Sequence, residues 1–141
     1  MSSVWVMDAE STIFTILEKK IEDKFKTKYA DLFVTREKDN DELEKNLFPT
    51  VYVFFSETEI GQDLYNDSIH AVSCTMDVQV ISSKTLGLEC AKEIIYYALD
   101  IAKKMRFNVG MMPEIISETS TAKTMAMRLT RKIGYNDKIY F

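Results

Sequence analysis

The sequence predicts an α+β fold in which a mostly antiparallel sheet carries two amphipathic helices on one face. Three observations predict it. Apolar residues recur at three- and four-residue spacing in two long stretches, alternate with polar ones in a third, and form β-branched or aromatic runs separated by turn residues elsewhere. A chain of 141 residues suits one domain spanning 1–141, and area scaling for that size buries about two thirds of the extended surface.

The first helix is expected from about Glu10 to Tyr29. Ile13, Phe14, Leu17, Ile21 and Phe25 make one apolar stripe among Lys and Glu, so the helix lies on something. Leu32–Thr35 is a short strand, and Glu37–Asn46 is a charged surface excursion. Thr50–Glu57, TVYVFFSE, has the β-branched and aromatic content of a buried strand. Pro49 stands where a strand tolerates it. Thr58–Asp67, with Gly61 and several acids, reads as a long hairpin loop. From His70 to Ser82, Val72, Cys74, Met76, Val78 and Val80 alternate with polar residues, a strand with one buried face.

The second helix runs from about Thr85 to Met105. Its stripe of Leu88, Ala91, Ile95, Ala98, Ala102 and Met105 is rich in small residues, which permits close packing on the sheet. Val109–Met112 falls in the turn that follows. After Pro113, Glu114–Glu118 and Thr124–Ile133 form a closing hairpin around Thr119–Lys123, and Gly134–Asp137 is a turn.

Composition narrows the function. The net charge of −4 argues against duplex nucleic acid as the main ligand, because phosphate contacts favour a basic surplus. Met1–Ser11 lacks the basic and apolar regions of a secretory signal, and no apolar stretch suits a membrane span. Two cysteines, Cys74 and Cys90, make no disulfide framework. The expectation is a protein made and folded in a reducing cytoplasm.

Sites for chemistry are hard to assemble. His70 is the single histidine, and on one strand it stands roughly 13 Å along the backbone from Cys74. One His and two Cys cannot supply a zinc cluster. Asp39, Asp41 and Glu42 lack the Gly and Glu of a calcium loop. Glu57, Glu59, Asp63 and Asp67 could gather a cation only across the hairpin. Gly61, Gly87, Gly110 and Gly134 are too scattered to cradle phosphate. Lys103, Lys104 and Arg106 at the second helix's end, and Arg128, Arg131 and Lys132 on the last strand, could face a negative partner. The reading is therefore of no enzyme, cofactor or metal. Candidate interface residues are Ile60, Leu64 and Tyr65 in the hairpin loop, Met111 and Met112 after the second helix, and Ile139, Tyr140 and Phe141 at the terminus. Together they would leave a monomer with more exposed apolar surface than is comfortable.

The arrangement resembles the tail terminator, or tail completion, proteins of long-tailed bacteriophages. The likeness runs through ESTIFTILEKKIEDKF, FPTVYVFFSE and the long strand AVSCTMDVQVIS. LECAKEIIYYALDIAKKM and the closing RFNVGMMPEIISETSTAKTMAMRLTRKIG complete it. The Glu37–Asn46 insertion and the hydrophobic end at Phe141 have no counterpart in it. The resemblance implies a homo-oligomeric ring, usually a hexamer, assembled in the host cytoplasm and carried in the virion tail or neck. It would sit on the tail tube protein, stop tube growth and join the head-completion or connector protein. DNA would pass through its lumen without specific binding. The alternatives are another neck or head-completion subunit, or a small ligand-binding regulatory module, which would present a concave apolar pocket.

Overall fold

The computed structural model describes residues 4–36, 48–62 and 69–139, with residues 61, 62, 69 and 70 as backbone alone. The Glu37–Asn46 excursion lies outside them. The elements follow the order α1 (Val4–Phe25), β1 (Phe33–Thr35), β2 (Thr50–Gln62), β3 (Ile69–Ser83), α2 (Gly87–Lys104), β4 (Asn108–Glu118) and β5 (Ala122–Gly134). The five strands make one sheet in the order β1-β2-β3-β5-β4. β1 runs parallel to β2 and every other pairing is antiparallel. The α+β architecture is as the sequence predicts.

Period-two alternation sets which face is which. Val72, Cys74, Met76, Val78 and Val80 of β3 are buried. Their register partners include Val51 and Val53 on β2 and Met125, Met127, Leu129 and Ile133 on β5. Both helices cover this face: Ile13, Leu17, Ile21 and Phe25 of α1, and Cys90, Ile94, Ile95, Leu99 and Ile101 of α2, share one core with it. Ala91, Ala98 and Ala102 are fully buried and let α2 approach the strands closely. Each large side chain so buried contributes about 1.5–3 kcal/mol relative to exposure. The opposite face carries Thr75, Asp77, Gln79, Arg128 and Thr130, with Asp77 and Arg128 paired at 2.7 Å.

Three boundaries differ from expectation. α1 begins at Val4 rather than near Glu10 and ends at Phe25 rather than Tyr29. Trp5, Val6 and Ala9 pack on the core, but VWVM is apolar in succession and carries no helical period. β2 continues through Gln62, so Thr58–Gln62 is strand and not loop. Its polar residues are held by an uninterrupted ladder with β3, Thr58 opposite Ser73 and Glu59 opposite Val72. β4 begins at Asn108 and takes in Val109–Met112 and Pro113. A proline inside a strand is tolerated there because β4 is an edge and needs no outward N–H.

α2 ends in a closed hydrogen-bond pattern. The N–H of Phe107 donates to the Ala102 carbonyl at 3.0 Å and that of Arg106 to the Lys103 carbonyl at 2.9 Å. This is the Schellman arrangement, whose left-handed residue is ordinarily glycine. Here it is Arg106, at φ 69°.

Candidate functional site

β4 is the feature that the fold leaves unfinished. α2 packs on β3 and β5 and scarcely reaches β4, so the outermost strand has no roof. Val109 and Ile115 lie opposite Leu129 and Met125, which are buried under the helices. On β4 the same face is open: Val109 is 36% exposed and Ile115 43%. Met112 and Ile116, at 52% and 48% exposure, fall where the pairing with β5 slips. Such irregularities bend a strand and re-aim its side chains. They and Pro113 also blunt the outer backbone edge as a template for another strand. A partner on this surface would therefore be held by side-chain packing more than by an extended ladder.

A second apolar surface surrounds the start of α1. Val4 is 55% exposed and Met7 66%. Beside them is a cleft of about 440 Å³ lined by Val4, Val6, Met7, Glu10, Glu57, Glu59 and Val72. Glu57 sits on the helix-covered face, opposite the buried Cys74, and its Oε1 is buried without a hydrogen-bond partner. Burial first, then hydrogen bonding and like charge from Glu10, push the Glu57 carboxyl up to about 7, against the pull of Arg36. Arg36 bridges Glu10 at 2.6 Å and lies over the Phe55 ring at 5.2 Å. Sequence reasoning missed this pair because Glu10 and Glu57 meet only through the packing of α1 on β2.

The expected interface residues divide. Ile60 is half-buried in β2 opposite Ala71, a strand residue and not a loop one. Leu64 and Tyr65 lie outside the described residues, as do Tyr140 and Phe141. Met111 and Met112 belong to the exposed edge strand, Met111 half-buried opposite Arg128 and Met112 open to solvent. Ile139 is half-buried: it packs against the chain's own core, beside Trp5, Ala9 and Ile133, with part of its surface still open. Ile115 and Ile116 were not among the candidates. A strand reading of EIISE sends the two adjacent isoleucines to opposite faces, and nothing in it marks β4 as the uncovered edge.

Among the described residues, no three His, Cys, Asp or Glu side chains gather as a metal site. No helix among them is long and apolar enough to cross a membrane. Cys74 and Cys90 are free and buried. Burial, with Glu57 and Glu10 nearby, pushes the Cys74 thiol up to about 12, and burial pushes Cys90 up to about 11. Burial of this kind disfavours the thiolate form. No protein-family model and no curated protein matches this chain.

Proposed function

We propose that the chain is a structural subunit that works by mating with copies of itself and with neighbouring proteins, as a ring capping a bacteriophage tail tube. The observation that carries the mating surface is the roofless edge strand β4, with Val109, Met112, Ile115 and Ile116 in solvent. Four large apolar side chains exposed along one edge strand make it a candidate contact surface, since soluble chains rarely leave large apolar patches without a partner. The assignment to a tail terminator, with the tube protein on one side and the head-joining protein on the other, rests on the order helix, short strand, hairpin, helix, hairpin. Another neck or head-completion subunit is the nearest alternative within the same reading.

Electron microscopy of the purified protein, alone and mixed with assembled tail tubes, tests the proposal. Rings, or caps confined to one end of the tube, are expected. A monomer that leaves tube and head connector untouched refutes it.

The Glu10–Glu57 cleft favours a second reading, a small ligand-binding module. Its volume lies within the range of small-molecule sites, and an apolar wall with a few polar groups is their usual lining. This reading predicts a monomer with saturable binding of a small apolar ligand, lost on Glu57→Gln, and no interaction with tubes.

A further inference from the structure

At the end of the sheet where β3 begins and β5 finishes, a cleft of about 850 Å³ opens beside the C-terminus of α2. Arg106 lines it from the turn after α2, Arg131 from the helix-covered face of β5, Lys132 from the opposite face of the same strand beside Ser73, and Lys138 from the segment beyond, so the cleft wraps around the end of the sheet. Ser73 and Thr130 offer hydroxyls from neighbouring strands. The one carboxylate in the lining, Asp137, accepts a hydrogen bond from the Gly134 N–H at 2.7 Å. Four cations against one acid leave a local surplus of three positive charges in a chain whose net charge is −4.

Those cations are not consumed by the fold. Arg131 donates one bond, from Nη1 to the Met105 carbonyl at 2.8 Å, which leaves the rest of its fork to donate. Among the described residues, Arg106, Lys132 and Lys138 have no ion-pair partner. Arg106 also holds a left-handed position, φ 69°, where glycine is the favoured residue. A side chain kept at an unfavourable backbone position beside a cleft points to use of that side chain.

We infer that this cleft binds a phosphate-type polyanion, two or three linked phosphates, supplied by a free polyphosphate or by consecutive phosphates of a nucleic-acid strand. A surplus of three charges overmatches a single carboxylate and suits a multivalent oxyanion. The guanidiniums supply forked donors and the lysines point charges, the two ways proteins hold phosphate. The nine lining residues are all polar and include no aromatic ring, so the cleft reads charge ahead of any apolar group. The inference does not depend on the tail-cap reading.

Titration calorimetry at low salt with sodium tripolyphosphate tests it, using wild type, Arg106→Gly, and Arg106→Gly combined with Lys132→Gln. Wild type should bind saturably, and more weakly as salt rises. Arg106→Gly should weaken binding about tenfold, the loss of a charge-assisted bond, while melting no lower than wild type because it relieves the left-handed position. Binding below detection in the double variant supports the site. A single-stranded oligothymidine that displaces tripolyphosphate identifies a nucleic-acid backbone as the source, and one that fails identifies a free polyphosphate. No saturable binding to wild type, or equal affinity in all three proteins, overturns the inference.

Discussion

Replacing Ile115 and Ile116 together with serine separates a surface that mates from a surface that folds. The two side chains stand 43% and 48% exposed, so roughly half of each is already in water. With Val109 and Met112 they leave uncovered apolar area equivalent to about two side chains, which on complete burial contributes about 3–6 kcal/mol. The double substitution removes around half of that from an interface, about 1.5–3 kcal/mol, a tenfold to hundredfold weaker association. Its effect on the isolated fold comes from the halves already buried, about one side chain in all, and should be about 1.5–3 kcal/mol on the same scale. Sedimentation velocity across a concentration series gives the first quantity and thermal melting gives the second. Assembly unchanged beside an intact fold would refute the assignment of β4 as an interface. A collapse in melting temperature would show that these isoleucines belong to the core.

Other outcomes follow from the same structure. Ile95→Ala, at a fully buried position between α2 and the sheet, should cost about 2–5 kcal/mol in chemical denaturation; a cost near zero would contradict the described packing. Glu57 keeps its proton to about pH 7 when folded, against an ordinary value of 4.5. The unfolded chain therefore releases that proton first, and stability falls as pH rises from 4.5 to about 7. Glu57→Gln should flatten that slope and raise the melting temperature at pH 8, with Glu10 and Arg36 left as a simple ion pair; an unaltered pH profile would show that Glu57 is solvated. Cys74 and Cys90 should resist a thiol reagent in the native state and react on unfolding, because both are buried and both titrate high.

Much of this fold is legible in the chain because its strongest patterns are local. The alternation from Val72 to Val80 fixes the central strand and its buried face, and the stripes of Ile13–Phe25 and Leu88–Ala102 fix both helices. What escapes is whatever tertiary pairing decides. Thr58–Gln62 is a strand because β3 runs alongside it, not because its residues prefer one. Val109–Met112 looks like a turn until β5 supplies a partner.

The surface is less legible still. Exposure of Met112 follows from the sequence, but exposure of Ile115 and Ile116 depends on where α2 stops short. The pairing of Glu10 with Glu57 depends on where the fold sets the first turns of α1 beside the middle of β2. Ile139 shows the converse, an apolar residue near the terminus that packs in part on the core.

The most direct test places a reporter on β4 itself. With both native thiols buried, Met112→Cys offers one accessible site for an environment-sensitive fluorophore. If this strand mates with another subunit, emission should shift to the blue as the protein is concentrated or added to tail tubes. An identical spectrum in dilute, concentrated and tube-bound samples would contradict the account.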